Sequence, residues 1–230
     1  MNQGAQVLTP AGGGALAAQR NRVLRNTYWL LALSMVPTVL GAWIGVQTGI
    51  SQAMSPGIGL VVFLAGAFGF MFAIERTKNS AAGVPLLLAF TLFMGLMLAR
   101  LLGVVLGLSN GTGLVMTAFA GTGVIFLGMA TMSTVVKRDL TQMGKFLFIG
   151  MIMLLVAMIA NFFIQSGPLM ITLSVLAIGI FSLFILHDLK RVQDGVETNY
   201  ITATLGVYLS LYNVFSNLLA LLGIFGGDSD

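Results

Sequence analysis

The sequence has 230 residues, of which 57% are hydrophobic and only 11 basic and 7 acidic, and the mean hydropathy is +0.99. So few charges cannot cover the surface of a soluble fold, which excludes a soluble enzyme, a secreted disulfide module and a disordered regulator. The chain has no cysteine, so disulfides and thiolate metal sites are also excluded. We therefore expect an integral membrane protein in contact with the lipid bilayer.

The chain is predicted to form an all-α bundle of seven transmembrane helices. Residues 1–25 are expected to be a flexible cytoplasmic tail, because residues 1–19 carry no charged side chain and are rich in Gly, Ala and Gln. Residues 26–227 are the predicted transmembrane domain, and residues 228–230 form a short end on the opposite side. Turn-forming residues divide this domain into apolar runs that are each long enough to cross a bilayer. The predicted spans are 28–48, 57–74, 83–107, 113–135, 146–165, 168–187 and 200–225.

The basic residues are distributed asymmetrically among the predicted loops. Ten of the 11 lie before the first span or in the 2–3, 4–5 and 6–7 loops, whereas the other loops have no Lys or Arg. Cytoplasmic loops of membrane proteins carry the excess of basic residues. This predicts a cytoplasmic N-terminus and a C-terminus on the outer, periplasmic side. It also accounts for the net charge of +4 without a nucleic-acid partner.

Small residues recur at four-residue spacing in two predicted spans. Gly41 and Gly45 share one face of the first span, and Gly95, Ala99 and Gly103 share one face of the third. Such stripes allow helix backbones to approach closely. They are interpreted either as tight packing within the molecule or as a sliding gate or oligomer contact.

The seventh span has a polar face. Ser210, Asn213 and Asn217 follow Gly206 at helical spacing, so that all four residues share one side of the helix. Polar groups within a bilayer must face protein or water. Two interpretations remain open: hydrogen bonds between helices, or the wall of a polar passage.

Two further ionisable positions need an explanation. Arg100 lies within the third span, near its outer end, where it either snorkels outward or has a buried role. His187 and Asp188 are predicted to end the sixth span at the cytoplasmic rim. A shielded Asp188 is a candidate proton-sensitive latch, and the alternative is an ordinary pair with Arg191.

The residues give no support to an enzyme. All four lysines lie in predicted loops, which excludes a retinal Schiff base, and the predicted cytoplasmic N-terminus argues against the usual seven-helix receptor. His187 is the only histidine and no GxSxG occurs, so an intramembrane serine protease is also unsupported. We expect no catalytic residue, no cofactor and no metal site.

Several motifs resemble those of the Bax-inhibitor (transmembrane BAX inhibitor motif) family, and in particular its bacterial YccA-like branch. They are VLRNTY at residues 23–28, GVETNYI at residues 195–201 and YLSLYN at residues 208–213. Residues 95–126 follow the family pattern of the third and fourth spans, including Ala118 and Thr122. The similarity covers nearly all of the chain beyond the tail.

This resemblance implies six helices around a central, more polar seventh. For the YccA-like branch it implies a non-enzymatic modulator of the FtsH membrane AAA protease, located in the bacterial inner membrane. Other family members are linked to a pH-sensitive calcium leak that an acidic pair gates, so Ca²⁺ or H⁺ is the alternative partner. Asp188 matches the first acid, but Ser210 stands at the position of the second. The family's Gly-Pro in the third span is Ala99-Arg100 here.

Overall fold

The computed structural model describes residues 11–226, which form eight helices. Seven of the helices in this range are long and apolar enough to cross a membrane, and the remaining one, α2, has four residues. The helices are α1 (Ala11–Thr48), α2 (Ile50–Ala53), α3 (Pro56–Thr77), α4 (Gly83–Leu106), α5 (Gly111–Val135), α6 (Thr141–Ile164), α7 (Gly167–Gln193) and α8 (Tyr200–Gly226). The prediction of an all-α bundle with seven membrane-spanning helices is confirmed.

Two of the spans begin at serine caps. The Ser55 hydroxyl accepts a hydrogen bond from the Ile58 N–H at 3.5 Å, and the Ser166 hydroxyl accepts one from the Leu169 N–H at 3.4 Å. In both helices a proline follows in the first turn, where its missing N–H would have had no partner within the helix. The Ser-Pro-Gly and Ser-Gly-Pro sequences therefore end one span and start the next.

Helices α1 and α7 extend furthest beyond their predicted bounds. Helix α1 begins at Ala11, so the part of the expected tail from Ala11 to residue 25 is helical, and residues 1–10 lie outside the described residues. Helix α7 continues to Gln193, past the predicted end at residue 187. Hydropathy sets the length of a span, but an alanine-rich or charged segment continues as helix beyond it at little cost. The predicted C-terminal end, residues 228–230, is also outside the described range.

Long-range contacts show which connections lie together. Asn199, before α8, donates a hydrogen bond to the Lys78 carbonyl oxygen after α3, and Gln193 at the end of α7 donates one to Ser133 near the end of α5. We call this the basic end, since seven of the 11 basic residues lie in the α3–α4, α5–α6 and α7–α8 connections or within five residues of them. The connections α1–α3, α4–α5 and α6–α7 form the opposite end, the neutral end.

Helix α8 occupies the centre of the bundle. It packs against α1, α4, α5 and α7, whereas α3 packs mainly on α4, and α6 mainly on α7. The central position of the seventh span agrees with the expectation from the family resemblance. However, four rather than six helices form its main surroundings, and α3 and α6 flank them.

Candidate functional site

The small-residue stripes lie in the contact between α1 and α4. A Cβ atom added at Gly41 would meet the backbone of Leu92, and one added at Gly45 would lie 2.5 Å from the Cβ atom of Ala99. Gly95 faces the backbone of α1 in the same way, and Ala99 is fully buried. These residues thus bring the two backbones together inside the molecule, rather than forming a stripe that faces lipid. Gly103, one turn further along α4, is partly buried.

The polar side chains of α8 bond mainly to the backbone of their own helix. Ser210 donates to the Gly206 carbonyl oxygen at 3.0 Å, and the side-chain amides of Asn213 and Asn217 donate to carbonyl oxygens one turn earlier, both at 2.8 Å. Ser210 and Asn217 are buried, and Asn213 is partly buried. These hydrogen bonds lie within one helix rather than between helices, because an i−4 carbonyl is always within reach of a short polar side chain in a helix.

Tyr208 on α8 makes polar contacts with two other helices. Its hydroxyl lies 2.9 Å from that of Thr38 on α1 and 3.4 Å from the Thr91 carbonyl oxygen on α4. The ring is fully buried and packs edge-on against Phe90 and beside Tyr212. In the sequence Tyr208 belongs only to the YLSLYN motif, although a tyrosine in the centre of a span needs a hydroxyl partner.

His187 and Asp188 lie inside the bundle rather than at the end of a helix. Because α7 continues to Gln193, Asp188 is more than one turn from the helix end and one carboxylate oxygen lies against Gly206 of α8. His187 Nδ1 is 3.2 Å from Asp188 Oδ1, and the imidazole packs against Gly144 of α6. The side chains of His187 and Asp188 are 10% and 17% exposed, respectively.

The alternative partner of Asp188 is engaged elsewhere. Arg191 lies 3.8 Å from Glu197, and Lys190 forms an ion pair with Asp194. The interpretation of Asp188 as the ordinary partner of Arg191 is therefore wrong. Within the described residues, the ionisable partner of Asp188 is the imidazole of His187.

Asp188 and Ser210 meet the same residue of α8. Asp188 lies against Gly206, whose carbonyl oxygen accepts the hydrogen bond from the Ser210 hydroxyl. Asp188 and the Ser210 hydroxyl thus both meet Gly206. From Gly206 to Asn217, eleven residues later, the polar face extends about 16 Å along the helix.

A groove opens at the neutral end of this polar face. It has a volume of about 540 Å³ and lies among α3, α6, α7 and α8. Its polar lining includes Asn161, Gln165, Ser174 and Asn217, while methionine, leucine and phenylalanine side chains line the rest. No charged residue lines it. This groove could not be predicted from the sequence, because its residues come from four separate segments.

A second groove, of about 590 Å³, lies at the basic end between α1 and the α7–α8 connection. Its lining includes Arg20 on α1 and Asp194 and Glu197 opposite. Beside it, Val23 packs with Val192 and Ala203 in a small buried cluster. The first helix is therefore fixed to the end of the bundle through residues that precede its predicted start.

Arg100 points toward the neutral end. One nitrogen of its guanidinium group donates to the Met54 carbonyl oxygen between α2 and α3, at 3.4 Å. The side chain is partly buried. Arg100 is six positions before Leu106, where α4 ends at the neutral end. It therefore lies apart from Asp188 and from the residues of the basic end.

Residues 11–226 contain no group of three or more His, Asp or Glu side chains that could hold a metal ion. The site consists of the partly buried Asp188 carboxylate, the imidazole beside it and a line of neutral polar groups. These features define a multi-helix membrane protein with a polar central helix.

The family follows from comparisons with known proteins. The family model described as "Inhibitor of apoptosis-promoting Bax1" matches residues 20–227. The chain is 35% identical to the Escherichia coli K12 protein named "Modulator of FtsH protease YccA", over 90% of this chain and 92% of that protein. It is 35% identical to an uncharacterised Vibrio cholerae membrane protein, over 90% and 91% of the two chains. A Pseudomonas aeruginosa protein is 36% identical, over 93% and 95%. The chain belongs to the Bax-inhibitor family.

Proposed function

We propose that this protein is a non-enzymatic modulator of an FtsH-type protease in the bacterial inner membrane. The observation that carries the proposal is the similarity to the E. coli protein with that name, which covers 92% of its length. Its counterpart in a second E. coli strain is named an inner membrane protein. The basic end is taken to be cytoplasmic, because ten of the 11 basic residues belong to it.

The packing of α1 suggests how such a protein would act on the protease. A protease that engages the N-terminus must pull on α1, and this helix has its most extensive contact with α4. Gly41, Gly45 and Gly95 allow this contact to be close along several turns. Extraction of the chain would therefore be slow, and an engaged protease would be withheld from its other substrates.

Co-purification and substrate turnover test this proposal. We expect the full chain to recover an FtsH-type protease from membranes solubilised in mild detergent, and its overproduction to slow the degradation of a second membrane substrate of that protease. Recovery of no FtsH-type protease, or unchanged turnover of the substrate, would contradict the proposal.

A matched pair of variants tests the role of the α1–α4 contact. Gly45→Leu should loosen this contact and make the chain itself a rapidly degraded substrate. Gly128→Leu is the control, since a Cβ atom at Gly128 meets nothing within 4 Å. Equal lifetimes of the two variants would argue against slow extraction as the mechanism.

A second function, a pH-sensitive cation leak, is favoured by the position of Asp188. Its side chain is 17% exposed and lies against Gly206, at the start of the polar face that ends at Asn217 beside the groove. In liposomes, the purified protein should release Ca²⁺ or H⁺ with a rate that depends on pH, and Asp188→Asn should remove this dependence. Asp194→Asn is the control, because Asp194 is at the surface and paired with Lys190. No flux at any pH would exclude this function.

A further inference from the structure

Arg100 is the only charged residue of the described chain in its neutral half. The acidic residues among residues 11–226 are Glu75, Asp139, Asp188, Asp194 and Glu197. All five belong to the basic half, in the last two turns of α3 and α7 or in the connections there. An arginine within a membrane span is costly and requires a partner for its charge. In the described chain, no carboxylate forms an ion pair with Arg100.

The hydrogen bonds of Arg100 leave most of its donors unused. A guanidinium group has five N–H donors. One nitrogen donates to the Met54 carbonyl oxygen at 3.4 Å, which is a long hydrogen bond. The same nitrogen would be 3.6 Å from a Cβ atom placed at Gly59, in the first turn of α3. Arg100 therefore lies beside the start of α3 with donors still available.

The start of α3 adds a second positive feature. This helix has 22 residues, and its N-terminal N–H groups carry the positive end of the helix dipole. The Ser55 hydroxyl accepts from only one of these groups, that of Ile58. Nothing lies within 4 Å of a Cβ position at Gly57, so there is open space in front of this turn. A guanidinium group and a helix N-terminus thus converge where no described acid is present, and this combination selects an anion.

The surroundings favour a lipid as the source of the anion. Ile58 and Val61 on α3 are 58% and 65% exposed, and Val104 on α4 is 67% exposed. These side chains offer an apolar surface to acyl chains next to the charged group. A guanidinium group binds phosphate in a bidentate manner. No carboxylate is available nearby to pair with the ammonium group of a zwitterionic lipid.

We propose that Arg100 and the first turn of α3 bind the phosphate of an anionic phospholipid, such as phosphatidylglycerol, in the leaflet at the neutral end. The headgroup phosphate accepts hydrogen bonds from the guanidinium group, and the acyl chains lie along α3 and α4. This site is separate from Asp188 and from the basic end, so it does not depend on the proposed function.

Native mass spectrometry of the full chain in detergent, titrated with defined lipids, tests the proposal. Phosphatidylglycerol should bind more tightly than phosphatidylcholine of the same acyl composition. Arg100→Gln should weaken phosphatidylglycerol binding about tenfold or more, since a charge-assisted hydrogen bond is lost. Arg22→Gln, at the basic end, is the matched control and should leave the binding to this site unchanged. Arg100→Lys should retain part of the affinity because it keeps the charge but not the planar geometry.

Three results would overturn the proposal. The first is equal binding of phosphatidylglycerol and phosphatidylcholine by the unmodified chain, a comparison that needs no variant to fold. The second is equal binding of phosphatidylglycerol by the Arg100→Gln and Arg22→Gln variants. The third is displacement of phosphatidylglycerol by millimolar inorganic phosphate, which would assign the site to a free anion instead of a lipid.

Discussion

The hydroxyl of Tyr208 on α8 lies 2.9 Å from the hydroxyl of Thr38 on α1, although 170 positions separate the two residues in the sequence. Tyr208 also approaches the Thr91 carbonyl oxygen on α4, at 3.4 Å. A single phenol thus joins the central helix to both helices of the closest glycine-lined contact. Asn213 and Asn217 on the same helix do not provide such a link, because their side-chain amides donate to carbonyl oxygens of α8 itself.

Tyr208→Phe should lower the free energy of unfolding by about 1 kcal/mol, the usual contribution of one hydrogen bond in a protein or between membrane helices. The ring and its packing against Phe90 remain, so a larger loss is not expected. Unfolding of the purified protein in mixed micelles measures this change. Tyr28→Phe is the control, because the Tyr28 ring packs against Phe126 but its hydroxyl forms no hydrogen bond with the described residues. Equal losses for the two variants would contradict the assignment.

Gly45→Ala should destabilise the protein by about 1–3 kcal/mol, because overpacking a close contact forces the backbones apart. The added Cβ atom would lie 2.5 Å from that of Ala99 and 3.1 Å from the Leu96 carbonyl oxygen. Thermal unfolding in detergent measures the loss. Gly128→Ala faces open space and should leave stability unchanged or slightly raised.

A double variant makes this prediction specific. Ala99→Gly in the Gly45→Ala background should restore part of the lost stability, since it removes the atom that the new Cβ atom meets. If Gly45→Ala were as stable as Gly128→Ala, the α1–α4 contact would be too loose for the added Cβ atom to meet Ala99.

The number of spans could be predicted because a backbone in lipid must satisfy its hydrogen bonds within each helix, which requires one long apolar run per crossing. The small-residue face of the α1–α4 contact was also visible, since Gly41 and Gly45 recur at helical spacing. The start of α1 at Ala11 could not be predicted, because hydropathy does not show a helical segment that lies outside the bilayer. The position of Asp188 more than one turn before the end of α7 was missed for the same reason, as α7 continues beyond its apolar run.

Contacts between distant segments could not be predicted from the sequence. Tyr208 meets Thr38, and Asn199 meets Lys78 and Asn79, only once the helices are arranged. The spacing of Ser210, Asn213 and Asn217 predicts that they share one side of α8. However, spacing alone does not distinguish a bond to a neighbouring helix from a bond to the carbonyl four residues earlier.

Gln165→Gly should raise the free energy of unfolding by up to about 1 kcal/mol, because glycine adopts a left-handed backbone without a steric cost. Gln165 ends α6 with φ of 57°, and it is the non-glycine residue with positive φ among residues 11–226. Gln165→Ala is the control and should bring no gain, since alanine keeps the Cβ atom. Thermal unfolding of the two variants compares them. If Gln165→Ala raised the free energy of unfolding as much as Gln165→Gly, the gain would come from loss of the glutamine side chain and not from relief of backbone strain.

Asn199 joins the start of α8 to the α3–α4 connection. Its side-chain oxygen accepts from the N–H groups of Ile201 and Thr202, at 2.9 and 3.2 Å. Its amide nitrogen donates to the Lys78 carbonyl oxygen at 3.1 Å and to the Asn79 side-chain oxygen at 2.9 Å. One side chain therefore both caps the central helix and fixes a neighbouring loop.

Two variants of Asn199 separate these roles. Asn199→Ala should cost about 1–2 kcal/mol and should speed amide hydrogen exchange both in the first turn of α8 and at residues 78–83, because cap and loop contact are both lost. Asn199→Asp keeps an oxygen for the cap but brings a carboxylate against two acceptor oxygens. Faster exchange in this variant should therefore be confined to residues 78–83. If Asn199→Asp left those residues as protected as in the unmodified chain, the amide nitrogen would not be what fixes the loop.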